Sequence, residues 1–247
     1  MFELIAKGFV RHFGQLVKLA EQEIINDMQQ GKVENEPSIT DRYLAVLQYV
    51  ISQKWAKEGI KLDVRTLGDR GPKAPESRYG ADFVAVLNVK LDGYKQTKGF
   101  LCQAKKESDF MKVLKAQPPG FFRGPTSVKF SVNKEFLRLK GQANDMLQIT
   151  PASFVIVYSD KGFVVVPAAS VTSLYINNAL YAKPAVSFFK EFLMCFIGDP
   201  KLKAWDNTSL EKLKAEYEVK RAVMFSLHQS NFDSDQVNLD SFNEGIL

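Results

Sequence analysis

Asp82, Gln103 and Lys105 are the residues whose types and spacing suggest chemistry. They sit in "YGADFVAVLNVKLDGYKQTKGFLCQAKK", residues 79–106, at the outer ends of two apolar runs. Side chains alternate faces along a strand, so Leu101, Gln103 and Lys105 share one face and Cys102 and Ala104 the other. With the two runs paired as a hairpin, Asp82 lies close to the end that carries Gln103 and Lys105. A carboxylate, a carbonyl-type oxygen and an ammonium then converge at one edge of a sheet. These are the parts of a hard-metal site with a cation beside it, since Mg²⁺ takes oxygen ligands and keeps several waters. Taken singly, each residue has a plainer reading. Asp82, shortly after Gly80, is an ordinary strand-entry residue, and "QAKK" is a strand end running into a solvated helix.

The flanking elements must bring these residues together. "ADFVAVLNVKL" is apolar enough for a central strand. Asp92-Gly93 is a hairpin signal, and "FLCQAK" is the partner strand. Upstream, residues 2–29 read as an amphipathic helix with Phe2, Ile5, Phe9, Phe13, Leu16 and Ala20 at helical spacing. "SITDRYLAVLQYVISQKWAKEG" is a second helix. Ser38 and Asp41 resemble a capping box there, Leu44, Leu47, Val50 and Ile51 form the buried stripe, and Gly59 is the stop. "IKLDVRTLGDRGPKAPESRYG" gives a short strand and a basic Gly/Pro-rich loop. "KESDFMKVLKA" reads as helix, "QPPGFFRGPTSVKF" as loop, and "NKEFLRLKGQANDMLQI" as a helix broken or kinked near Gly141. "SFVIVYSD" and "GFVVVPA" form a second strand pair. "AVSFFKEFLMCFIG" is a buried helix, and "NTSLEKLKAEYEVKRAVMFSL" an exposed or partner-facing helix. The end, "SNFDSDQVNLDSFNEGIL", has no Lys or Arg and is expected to be an acidic mobile tail. The order of elements predicts an α/β or α+β fold, a mixed central sheet flanked by helices. Three parts are expected: an N-terminal helix at 1–32, a core at 33–200, and a C-terminal helix with tail at 201–247.

Composition narrows the chemistry. The chain has 247 residues, enough for one large domain with a substantial core. Its 19 Phe residues predict an aromatic-rich core. The net charge of +5 is compatible with a polyanionic partner, of which nucleic acid is the commonest. The two histidines, His12 and His228, lie in end segments, which removes most His-based catalysis. Cys102 and Cys195 each sit in an apolar run and read as buried thiols. No run reaches membrane-spanning length. The N-terminus lacks a signal-peptide pattern, and a cytoplasmic protein is expected.

"GAD", a strand, a turn and "QAK" together resemble the core of the PD-(D/E)XK nuclease superfamily, in particular bacterial restriction and phage-defence members. The resemblance spans about residues 33–160 and implies a restriction-endonuclease-like core. A Glu on the preceding helix usually completes that site, and "ENEPSITD" places Glu36 there, with Glu34 as a rival two residues away. In some members a helical Gln follows the core, and "GQANDML" offers Gln142. The resemblance implies Mg²⁺, with Mn²⁺ substituting, held by Asp82, Gln103 and the Ala104 carbonyl and by Glu36 directly or through water. Lys105 would position the attacking water or neutralise charge in the transition state. Gln103 departs from the pattern, standing where the second acid is usual. Its oxygen can coordinate but adds no charge, so affinity leans on Glu36 and Asp82.

The implied partner is DNA, duplex rather than single-stranded, cut by a homodimer or by a subunit of a defence complex. Arg70, Lys73 and Arg78 surround the loop before Asp82, with Arg65 nearby. Arg123 and Lys129 stand beside Phe121 and Phe122 in a stretch suited to DNA stacking. A solvated loop and a Phe-packed loop are the alternatives at these two places. Two rival functions stay open: a nuclease-fold interaction subunit with a silent site, kept alive by Gln103, and an RNA-directed nuclease.

Overall fold

The computed structural model describes residues 2–55, 60–68, 79–91, 93–110, 134–173 and 181–229. The fold is α/β, a mixed sheet flanked by helices. The elements are α1 (Phe2–Gln29), α2 (Glu36–Lys54), β1 (Ile60–Gly68), β2 (Phe83–Leu91), β3 (Tyr94–Lys106), α3 (Lys134–Ile149), β4 (Ser153–Tyr158), β5 (Val164–Pro167), α4 (Ala168–Thr172), β6 (Lys183–Pro184), α5 (Ala185–Leu193), α6 (Asn207–Glu216) and β7 (Arg221–Gln229). The seven strands lie in the order β1-β7-β2-β3-β4-β5-β6. The β2/β7 and β3/β4 pairs are parallel and the others antiparallel.

The expected hairpin is β2–β3. Its ladder runs from Leu91↔Tyr94 at the turn to Phe83↔Cys102. Gly93 sits in the turn at φ +68°, a conformation that glycine adopts without a Cβ penalty. The Asp82 N–H continues the ladder by donating to the Cys102 carbonyl at 2.8 Å. β2 is buried on both faces through Val89, as befits a strand with a neighbour on each side and helices above and below.

Two apolar layers cover the sheet. On one face α1, α2 and α5 pack Phe13, Tyr43, Phe188, Phe189 and Phe192 against Phe83, Phe100 and Phe225. The rings meet edge to face; Phe100 and Phe192 have centroids 4.8 Å apart at 83°. On the other face α3, α4 and α6 bury smaller aliphatic side chains, among them Val84, Val86, Leu101, Val155 and Ala222. The α1 stripe is as expected where described: Phe9, Phe13, Leu16 and Ala20 are buried, with Val17 and Ile24 beside them.

Several expectations are corrected. Residues 208–227 are not one helix. α6 stops at Glu216, Glu218 turns the chain at φ +48°, and Arg221–Gln229 forms β7 between β1 and β2. The boundary placed at 200/201 therefore cuts through the core, and β7 is no interface helix. α3 is continuous through Gly141, where nothing stands near the missing Cβ and the helix absorbs a single glycine. The cap of α2 is Asn35, whose Oδ1 accepts the Ser38 N–H at 2.9 Å; Asp41 is used elsewhere. α2 ends at Lys54, ahead of Gly59, which lies outside the described residues. Cys102 is buried as expected, but Cys195 is only half-buried, in a turn at φ +64°. Both thiols are free.

Candidate functional site

The site lies where β2 begins and β3 ends. Asp82 precedes β2 by one residue, and the register carries it to Gln103. Gln103 Nε2 donates to Asp82 Oδ2 at 2.6 Å, and the Ala104 N–H donates to the same oxygen at 2.8 Å. Gln103 Nε2 also reaches the Ala104 carbonyl at 3.2 Å. One amide nitrogen thus bridges the carboxylate and the main-chain carbonyl that the sequence reading assigns to a cation. Asp82, Gln103 and Ala104 are together as expected.

Lys105, two residues on from Gln103, points to α2. Its Nζ donates to Glu36 Oε2 at 3.0 Å, and the Lys106 N–H donates to Glu36 Oε1 at 3.2 Å. The side chains of Lys105 and Glu36 are 15% and 22% exposed, so the pair is sheltered from bulk water but not sealed. Glu34 takes a different part. Its main-chain oxygen accepts from Lys106 Nζ at 2.7 Å. The first turn of α2 places Glu36 because Asn35 caps the helix and Pro37 follows at its second position.

Gln142 approaches from α3. Gly80, at φ +73°, lets the chain pass so close that a Cβ there would stand 2.6 Å from Gln142 Cα. Gln142 Oε1 is buried and has no hydrogen-bond partner among the described residues. A buried acceptor with no partner among the described residues is unusual.

Burial pushes the Asp82 carboxyl above its ordinary range. The Ala104 N–H, Lys105 and Arg221 work against that rise, and Glu36 adds to it. A cleft of about 620 Å³ opens between the start of α2 and α3. Glu36, Lys105, Lys106, Glu135 and Arg138 line this cleft, whereas Asp82 and Gln103 do not.

Arg221 and Asp41 belong to this end of the molecule, and the sequence reading singled out neither as a site residue. Arg221 opens β7, opposite Gly68 of β1 and Phe83 of β2. It is 6% exposed. Its Nη2 donates to Asp41 Oδ2 at 2.9 Å and to the Pro37 carbonyl at 3.1 Å, and its Nε donates to Asp41 Oδ1. Burial opposes its charge, but Asp41 and then Asp82 hold the guanidinium pKa above the usual value. A basic residue, Arg221, opening the apolar run "RAVMFSL" was the available signal.

The donor set suits a hard divalent cation: two carboxylates, an amide and a carbonyl, all oxygen donors once the Gln103 amide turns its Oε1 inward. Among the described residues, no three His, Cys, Asp or Glu side chains stand close enough to hold a metal ion. The expected nucleic-acid contacts Arg70, Lys73, Arg78, Arg123 and Lys129 lie outside the described residues, as does the tail from residue 230. His12 bonds the Lys54 carbonyl and His228 faces Asp63, neither at this site. Among the described residues no helix is long and apolar enough to cross a membrane. No protein-family model matches the chain, and no curated protein matches it.

Proposed function

We propose that the chain is a Mg²⁺-dependent endonuclease that hydrolyses phosphodiester bonds of DNA, with Mn²⁺ able to substitute. The observation that carries this reading is the meeting of Asp82, Gln103 and the Ala104 main chain at one point, with the Lys105–Glu36 pair alongside. Asp82, Gln103 Oε1 and the Ala104 carbonyl would hold the ion, with Glu36 joining directly or through water. A divalent ion there supplies a bound water of lowered pKa and polarises the phosphoryl oxygen. Burial disfavours the charged form of Asp82, and a cation bound at its carboxylate would offset that cost. Lys105 brings a positive charge to the cleft side of the site, where it orients the attacking water or offsets charge developing on the phosphate. Glu36 fixes the Lys105 ammonium in place. Gln142 offers its open acceptor to a water.

Cutting both strands of a duplex takes two sites, so the proposal includes a homodimer or a partner subunit. A cytoplasmic role in restriction or anti-phage defence is what the superfamily resemblance adds.

A second reading has its own support. Gln103 turns its NH₂, not its oxygen, toward Asp82, and Glu36 and Lys105 neutralise each other. Both features suit a silent site in a nuclease-fold interaction subunit of a larger nucleic-acid-binding complex.

The deciding experiment is cleavage of supercoiled plasmid and short duplex DNA with Mg²⁺ or Mn²⁺, for wild type, Asp82→Ala and Lys105→Ala. Metal-dependent cutting that both variants lose is the expected result. DNA binding that ignores metal, with no cutting by any form, transfers the conclusion to the interaction subunit. Equal cutting of single-stranded RNA and DNA redirects it to an RNA-active nuclease.

A further inference from the structure

We propose that Arg221 is a positioning residue of this site: its guanidinium registers the first turns of α2 on the sheet and so sets where the Glu36 carboxylate stands. The inference rests on the nuclease reading above.

The backbone of Arg221 is fixed by the sheet. It pairs with Gly68 on one side and with Phe83, the neighbour of Asp82, on the other. Its side chain then crosses to α2 and bonds it twice: at the Pro37 carbonyl, next to Glu36, and at both oxygens of Asp41, one turn further on. A planar fork that meets a carboxylate with two donors fixes direction as well as distance. One rigid group therefore ties the strand beside Asp82 to the turn that carries Glu36.

Holding α2 on the domain does not require this contact. Ile39, Tyr43, Leu44, Leu47, Val50 and Ile51 already bury an apolar stripe there. Apolar contacts are non-directional and leave a helix some freedom to slide and rotate. A buried arginine is also an expensive anchor, because desolvation opposes its charge and an apolar side chain of similar size usually serves stability as well. What the arginine adds is register, and the residue whose register matters is Glu36. Its two oxygens must reach Lys105 Nζ and the Lys106 N–H together. Asp41 is the complementary half of the device. Its side chain is 61% exposed, so it is held out over Arg221 by the ion pair rather than by packing.

The test is a double-mutant cycle read by Mn²⁺ binding, with the metal alone as probe, in full-length wild type, Arg221→Lys, Glu36→Gln and the double variant. Lysine keeps the charge and loses the fork. Changes to groups that orient a metal ligand cost about 10-fold or more in metal affinity. Arg221→Lys is expected to weaken Mn²⁺ binding by about that factor when Glu36 is present and by less than about 2-fold when it is Gln, since coupled sites are non-additive. Asp41→Asn, at an exposed position, carries the same cycle if Arg221→Lys lowers the melting temperature too far for binding work. Equal weakening in both Glu36 backgrounds, or none in either, overturns the positioning role. If wild type still cuts DNA with metal in that case, the proposed function stands. A wild type that neither binds Mn²⁺ nor cuts removes both.

Discussion

At the turn end of the β2–β3 hairpin, Asn88, Thr97 and Lys98 are buried, and each donates to a main-chain carbonyl of the segment before α6: Trp205, Ala204 and Cys195 in turn. At the open end, Asp82, Gln103 and Lys105 are also buried or half-buried. There the side chains engage one another and Glu36, while Arg221 and Asp41 form a bidentate pair beside them. The same two strands thus use polar side chains in two ways. Donors that end on carbonyls pin a loop and leave no charge exposed to chemistry. Charges that face charges, drawn from elements far apart in the chain, hold a field at one point. The contrast separates a structural polar cluster from a candidate catalytic one without reference to any ligand.

Matched changes at the two ends test the contrast. The largest difference is expected between two lysines. Lys105→Ala lowers metal-dependent plasmid cutting by about 100-fold or more, the usual loss when a group that stabilises transition-state charge is removed. Lys98→Met, at the turn end, leaves cutting as it was. Equal losses would erase the distinction.

Next comes Thr97→Val. It strips the Ala204 carbonyl and N–H of their shared partner. Urea unfolding is expected to show a loss of about 1–3 kcal/mol, with cleavage at room temperature unchanged.

Asp82→Asn has the opposite sign. Burial raises the folded pKa of Asp82, so its charge is a liability to the fold at neutral pH. The variant is expected to melt higher than wild type at pH 7 without metal. The advantage shrinks as pH falls through the folded pKa and is gone below the unfolded value of about 3.9. A variant that melts lower at pH 7 would make Asp82 a structural residue like those at the turn end.

The smallest effect belongs to Glu34→Ala. Glu34 enters the site region through its backbone oxygen, which alanine keeps. Stability should stay within about 0.5 kcal/mol and cleavage should be unaffected, whereas Glu36→Ala impairs it.

How much of this was legible depended on whether the signal was local. The hairpin was readable because a glycine turn separates two apolar runs and the alternation of Gln103 and Lys105 with Cys102 and Ala104 is a local pattern. The flanking helices showed their apolar faces at helical spacing. β7 was misread because a strand buried on both faces has no alternation, and its run of apolar residues fits a helix equally well. No glycine marked the end of α6; Glu218 adopts the left-handed conformation instead. Asp41 looked like a cap partner because three-residue spacing is visible in sequence, while its actual partner, Arg221, lies 180 residues away. The approach of Gln142 to Gly80 likewise depends on how α3 lies across the sheet, which no local pattern encodes.

The placement of β7 also governs when the molecule can work. It is the last described strand in the chain, yet it lies second in the sheet, between β1 and β2, and it brings Arg221 to the site. A ribosome has already released helices and strands up to β6 while the gap between β1 and β2 is still open. Sheet closure must await residues 221–229, and contacts of such long sequence separation form slowly. Nascent chains lacking residues 221–229 would carry Asp82, Gln103 and Lys105 without the strand that locks α2 beside them. A site assembled this way is completed only as β7 slots between β1 and β2.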